Sequence, residues 1–232
     1  MSPPLFRIIF SLIVAGELLS RILDNPLLHF ICKPLIVISL SLFFYQQTRA
    51  AYSRFATWIQ VGLVFSLAGD VFLMFDGVRP LYFPLGLASF LLAHIAYIIA
   101  YHLSSRHQPE TSFVQKNPWS LVPFLAYGLS LYAWLFSRLG ELKIPVFVYT
   151  LALLGMGIFA LNRSGRCSAY SFRLIFSGAM LFIVSDSVLA VDKFIAAVPV
   201  SSVIIMTTYS LAQYLIVLGS VAHINEPRFQ RN

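Results

Sequence analysis

Two aspartates carry the chemistry open to this sequence. Asp70 stands in Gly69-Asp70-Val71-Phe72-Leu73-Met74-Phe75-Asp76, near the end of an apolar segment. Asp186 stands in Ser185-Asp186-Ser187-Val188-Leu189-Ala190-Val191-Asp192, 116 positions later in a chain of 232 residues. An ionised Asp at the centre of a membrane helix costs roughly 2.5–3.5 kcal/mol on insertion scales, and intramembrane carboxylates are functional by default. Desolvation and mutual repulsion oppose two ionised carboxylates in one low-dielectric pocket, so such a pair suits one protonated acid beside one base. The blander use of the same residues is hydrogen bonding between helices.

Other chemistries find no support. The chain has no G-x-S-x-G elbow, no H-E-x-x-H and no phosphate-cradling glycine loop, and His29, His94, His102, His107 and His223 are scattered. No metal and no cofactor is expected. Cys32 and Cys167 fall at opposite ends of the expected topology, too far apart for a disulfide.

The elements that must position the aspartates are membrane helices. With 59% hydrophobic and 11% charged residues and a mean hydropathy of +0.81, the chain cannot be an ordinary soluble domain. Apolar segments run at about 5–23, 29–45, 57–75, 82–102, 118–138, 144–161, 171–191 and 198–222. The expectation is an all-α polytopic integral membrane protein, a bundle of eight transmembrane helices forming a single domain over 1–232. The run from Ile8 to Ala15 continues to Leu23 without a cleavage site and reads as a retained first span.

The offset of 116 also pairs Gly62 with Gly178, Leu73 with Leu189 and Asp76 with Asp192. Four helices per half would make 1–116 and 117–232 parallel repeats, with chance resemblance as the competing account.

The net charge of +7 comes without a basic run, so no nucleic acid partner is expected. On one side lie Arg7, Arg49, Arg54, Arg106, Lys116, Arg163, Arg166, Arg173, Arg228 and Arg231; on the other Arg21, Lys33, Arg79, Arg138, Lys143 and Lys193. The bias places both termini in the cytoplasm.

At about 1.5 Å per residue, Asp70 and Asp186 lie about 7–8 Å inside the non-cytoplasmic ends of their helices, with Lys33 about 6 Å inside the same face. His94 and Tyr209 come out about 17–18 Å deep, with Gln213 one turn further, which describes a polar pocket opening toward one leaflet. Gly62, Ser66 and Asp70 at i, i+4 and i+8 give the third helix a small-residue face. Tyr97, one turn from His94, and Tyr149 in the sixth segment complete the candidates. Each has an ordinary alternative: Lys33 can snorkel, His94 and the tyrosines can be packing residues, and Glu17 with Arg21 makes a local i, i+4 ion pair.

Read together, the motifs resemble the YhhN family of lysoplasmalogenases. They are Lys33-Pro34, Gly69 to Met74, Phe90-Leu91-Leu92-Ala93-His94-Ile95-Ala96-Tyr97, Phe182 to Ala190, and Thr207-Thr208-Tyr209 with Gln213. The resemblance implies hydrolysis of the vinyl ether bond of lysoplasmalogens to a fatty aldehyde and a glycerophospho-ethanolamine or -choline. Asp70 and Asp186 would be catalytic, and Lys33, His94, Tyr97, Tyr149, Tyr209 and Gln213 would bind substrate or support the site. The partners would be a lysophospholipid and membrane lipids, with the oligomeric state left open, in a bacterial inner membrane. Two other classes fit the composition: a transporter of small solutes or lipids with paired carboxylates, expected to show interrupted helices at matching positions, and a structural or lipid-sensing membrane protein.

Overall fold

Caps and prolines decide where the helices begin. In the computed structural model, which describes residues 2–51, 53–105 and 111–226, α1 spans Pro3–Ile22 and α2 spans Pro26–Thr48. Pro26 sits in the first turn of α2, where its missing N–H costs nothing, and the Asn25 side chain accepts from Leu28 N at 3.1 Å. Ser53 caps α3 (Arg54–Met74) by accepting from Ala56 N at 3.1 Å, and α4 spans Tyr82–Ser105. A one-turn helix, α5 (Phe113–Lys116), is closed by a Ser112–Gln115 capping box. Then follow α6 (Val122–Leu135), α7 (Lys143–Leu161), α8 (Ala169–Phe194) and α9 (Ser201–Ile224). No strand occurs among the described residues.

Among the described residues the eight expected segments each hold an α-helix, of 14 residues in α6 and 19 or more in the others, and the protein is an all-α polytopic membrane protein in which one of the eight expected spans falls short. Seven of the helices among the described residues are long and apolar enough to cross a bilayer. The other, α1, carries Arg7, Glu17 and Arg21 within its twenty residues and falls outside that set. Two boundaries correct the sequence reading. The segment at 118–138 is α-helical only over Val122–Leu135, with 3₁₀ turns on both flanks. The last helix starts at Ser201 rather than 198, because Asp192 Oδ1 accepts from Val198 N at 2.8 Å and Val200 takes a left-handed conformation (φ 51°), folding the apolar stretch before it into a turn. Of the residues used to assign topology, Arg106, Arg228 and Arg231 lie outside the described residues, as does His107.

Glycines set the closest helix contacts. A Cβ on Gly62 would sit 2.4 Å from the Tyr97 ring, and one on Gly69 would sit 2.6 Å from Phe90, so α4 lies against the small-residue face of α3. A Cβ on Gly178 would come within 2.8 Å of the Ala212 carbonyl oxygen, and α8 and α9 pack as closely. Helices 116 positions apart also take matching neighbours: α1–α2 answers to α6–α7, and α2–α9 to α7–α4. The outer helices differ. Whereas α1 packs on both α2 and α9, α6 rests on α7 and lightly on α8, leaving Leu125, Leu129 and Trp134 exposed.

Arg163, expected among the topology-marking charges, is fully buried instead. Its Nε donates to Ser104 Oγ at 2.8 Å and its Nη2 to Ser171 Oγ at 2.9 Å, tying α4, the α7–α8 turn and α8 together. Both cysteines are free, Cys32 within α2 and Cys167 in the α7–α8 turn.

Because the atom facing Gly178 is backbone, Gly178→Ala should cost about 1–3 kcal/mol through forced separation of α8 and α9. Gly77→Ala, with nothing within 4 Å of its added Cβ, is the control. Thermal unfolding in detergent measures the difference, and equal melting temperatures would refute close packing at Gly178.

Candidate active site

The two aspartates are each met from two directions. Asp70 on α3 is 2% exposed; Tyr209 on α9 donates its hydroxyl to Asp70 Oδ2 at 2.7 Å, and Lys33 Nζ on α2 lies 4.0 Å from Oδ1. Asp186 on α8 accepts the hydroxyl of Tyr149 on α7, and His94 Nε2 on α4 lies 3.8 Å from Asp186 Oδ2. Lys33 and Tyr149 are 116 positions apart, and Tyr209 is one position off the same offset from His94. Each carboxylate is therefore flanked by one side chain from its own half of the chain and one from the other.

A neutral network leads away from Asp70. Tyr97 OH donates to Gln213 Oε1 at 2.8 Å, a contact between residues again 116 apart, and Gln213 Nε2 donates to Ser66 Oγ at 2.9 Å. Gln213 Nε2 also reaches Tyr209 OH at 3.4 Å, joining the network to Asp70. His94 is fully buried between the rings of Tyr149 and Phe182, at centroid distances of 5.2 and 4.9 Å, and neither ring nitrogen has a hydrogen-bond partner among the described residues.

All eight expected residues thus gather in one region, but not in the two layers expected. The later start of α9 puts Tyr209 eight residues, about 12 Å, from its end, and the longer α8 puts Asp186 about 12 Å from its own end. Tyr209 therefore stands level with the carboxylates.

Asp70 and Asp186 share a cavity of about 190 Å³, which Lys33 and Tyr209 also line. Lys33 is 6% exposed and turned toward Asp70, so it does not snorkel away from the bundle. Arg21 stands on the same cavity, which sequence reasoning missed by assigning it wholly to Glu17. The ion pair exists, Arg21 Nε to Glu17 Oε1 at 3.1 Å, but Glu17 is fully buried and also meets His29 Nδ1 at 2.8 Å. Asp76 and Asp192 line the cavity too. Asp76 pairs with Lys193 Nζ at 2.6 Å, while Asp192 holds the α8–α9 turn. Their place in the repeated motif was the available signal.

A second cavity, of about 50 Å³, lies on the far side of Asp186 among α6, α7 and α8 and is almost wholly apolar. Asp186 is thus exposed to a charged space and a hydrocarbon-like space at once. Among the described residues no group of three or more His, Cys, Asp or Glu is arranged to hold a metal ion. What the site offers is two carboxyls, hydroxyl donors fixing one oxygen of each, and a pair of basic side chains on one wall: the means to move a proton onto a substrate and to hold an anionic group beside it.

Fold and site together define a class, a polytopic helical membrane protein with paired carboxyls around a buried cavity. Within that class the chain belongs to the YhhN family, whose pattern matches residues 28–220. It is 35% identical to lysoplasmalogenase TMEM86A of Bos taurus over 170 residues, covering 72% of this chain and 66% of that protein. It is 30% identical to lysoplasmalogenase TMEM86B of Mus musculus over 192 residues (82% and 73%) and 31% identical to the lysoplasmalogenase of Mycobacterium tuberculosis over 169 residues (70% and 59%). The match thus spans just under two thirds of the bovine protein's length. No solved structure matches the chain.

Tyr97→Phe removes the donor to Gln213 Oε1 at a fully buried position. The stranded acceptor should cost about 1–3 kcal/mol, read as a lower melting temperature in detergent. An unchanged melting temperature would show that the Tyr97–Gln213 bond does not hold α4 to α9.

Proposed function

We propose that this protein hydrolyses the vinyl ether bond of lysoplasmalogens in the cavity between Asp70 and Asp186. The observation that carries the reading is that cavity itself: the buried Asp70 and the partly exposed Asp186, in corresponding sequence motifs, line one space together with Lys33 and Arg21. Family membership and the activity for which the mammalian and mycobacterial relatives are named support it.

The geometry supports the following chemistry. Protonating the β-carbon of a vinyl ether creates an oxocarbenium ion, the kind of cation that paired carboxyls manage in glycosidases. Lys33 balances the charge of Asp70, which makes Asp70 the standing carboxylate. Asp186 has a phenol and an imidazole as neighbours and no Lys or Arg in ion-pair reach among the described residues, and it supplies the proton. Asp70 then stabilises the cation and takes a proton from the attacking water. The resulting hemiacetal collapses: its hydroxyl proton passes to the glycerol oxygen as the bond between that oxygen and the aldehyde carbon breaks. One water is consumed, a fatty aldehyde and a glycerophospho-ethanolamine or -choline leave, and the proton on Asp70 returns to Asp186. Tyr149 and Tyr209 each fix one oxygen of a carboxyl, and His94, Tyr97 and Gln213 hold the walls. Lys33 and Arg21 receive the substrate phosphate, for which charge-assisted bonds are the strong ones.

Transport gains no support from the helices. α7 runs unbroken through Gly155 and Gly157, and α2 through Pro34, Ser39 and Ser41, where interruptions would mark a midplane transport site. As part of the same reading we place the protein in a bacterial inner membrane with both termini cytoplasmic, and we treat 1–116 and 117–232 as parallel repeats whose equivalent helices supply the two aspartates. A carboxy-terminal reporter active only in the cytoplasm tests the orientation; silence there would reverse it.

The central test is aldehyde release from lysoplasmenylethanolamine by purified protein. Wild type should turn over, and Asp70→Asn and Asp186→Asn, checked for folding, should each lose at least about 10²-fold in kcat. Wild type inert toward vinyl ether lipids, or either folded variant fully active, would overturn the reading. Lys33→Ala should raise KM through the lost phosphate contact and also lower kcat through the lost partner of Asp70, and a kcat loss with unchanged KM would remove Lys33 from phosphate binding.

A further inference from the structure

The cavity shared by the two aspartates is too small for a lysolipid, since ligand pockets for drug-sized molecules run to roughly 300–1,000 Å³ and this one holds about 190 Å³. The hydrocarbon chain needs another place. Asp186 also lines a second, apolar cavity, whose walls include Gly128 on α6 and Leu153 and Leu154 on α7 and continue toward the helix ends at Leu135, Val146 and Phe194. At about 50 Å³ that space is nearly closed, against roughly 30 Å³ for one water in the liquid.

Its outer wall is thin. On the lipid-facing side of α6 and α8 lies a groove of about 470 Å³, and Tyr127, Leu131 and Ser187 line both the groove and the inner space. The polar link across this wall is the bond from Tyr127 OH to Ser187 Oγ at 2.7 Å, one residue from Asp186. The helix that carries Tyr127 is also the one most lightly attached to the bundle, with only 11% of its span buried.

We infer that the space between α6, α7 and α8 is the binding site for the substrate's hydrocarbon chain, entered sideways from the bilayer past the Tyr127–Ser187 bond as α6 moves outward. The inference rests on the hydrolase reading above. It assigns the two sides of Asp186 opposite ends of one molecule: the phosphate goes to Lys33 and Arg21, the chain goes to the apolar slot, and the vinyl ether lies at the carboxyl between them. Gly128 is then a specificity position. Its missing side chain leaves the inner slot only as wide as Leu154 permits, a Cβ there falling 2.2 Å from Leu154 Cδ1.

Two experiments test the assignment. In the first, kcat/KM is compared for a long-chain lysoplasmalogen and its propenyl analogue, which has the same headgroup and almost no chain. Gly128→Leu should lower the long-chain value by about tenfold or more while leaving the propenyl value within about twofold, and Leu154→Ala in the same protein should restore it. Equal loss on both substrates, or no loss on either, overturns the chain site. Should wild type hydrolyse neither substrate, the hydrolase reading fails, and the second experiment still judges the slot. In it, wild-type protein in detergent is photolysed with a saturated 1-O-alkyl lysophosphoethanolamine carrying a diazirine near the end of its chain, and labelled peptides are mapped by mass spectrometry. Labelling should fall on α6 and α7 around Gly128 and Leu154 and be competed by unlabelled lipid. Labelling confined to other faces, such as the groove of Phe44 and Val64 between α2 and α3, overturns the inference.

Discussion

A carboxylate inside an apolar bundle must find its hydrogen bonds and its counter-charge from protein, because the lipid around it supplies neither. Here each carboxyl is met from two other helices, but only Asp70 has a basic partner, Lys33. Asp70 draws α2 and α9 toward α3; Asp186 draws α7 and α4 toward α8. Six of the eight long helices among the described residues are committed to these two residues, and Gly62, Gly69 and Gly178 let neighbouring helices pack closely along α3 and α8. Only small residues let α4 and α9 come close enough for His94 and Tyr209 to reach carboxyls on neighbouring helices.

Much of this is legible in the chain because the cost of an intramembrane charge is so one-sided. Asp70, Asp186 and Lys33 stand out against apolar neighbours, and the 116-residue offset brings Tyr97 to Gln213 as directly as it brings Asp70 to Asp186. What the chain conceals has two physical sources. Depth estimates inherit every error in a helix end, so the turn held by Asp192 shifted Tyr209 by a full layer. Partners of residues that already have a local explanation are also hidden. Glu17 and Arg21 account for each other at i, i+4, and nothing in sequence says that His29 completes the set or that Arg21 faces the cavity. Arg163 is the same case: as a loop arginine it reads as a topology signal, and only packing reveals two serine acceptors beneath it.

Positions 116 apart are filled differently around the two aspartates, and in the proposed reading the difference would match the asymmetry of a lysolipid. At one pair of equivalent positions Lys33 faces Asp70 while Tyr149 faces Asp186. In the outer helices α1 brings Glu17 and Arg21 and is packed on two sides, whereas α6 brings Tyr127, Gly128 and Leu131 and is packed mainly on one. Charge is therefore concentrated around Asp70, and apolar space around Asp186.

That gradient bears on the division of labour between otherwise similar carboxyls. A carboxyl beside an ammonium group keeps its negative charge balanced through the reaction, which suits the group that must stabilise a cation and accept a proton from water. A carboxyl facing hydrocarbon and a phenol becomes charged only when it gives its proton away, at the moment an oxocarbenium ion forms beside it to offset that charge. Paired carboxyls of identical chemistry thus acquire different tasks from their surroundings alone. Here the surroundings differ because positions 116 apart carry different side chains, Lys33 beside Asp70 and Tyr149 beside Asp186, and in the proposed reaction that one asymmetry would set the direction of proton flow and the seat of the phosphate.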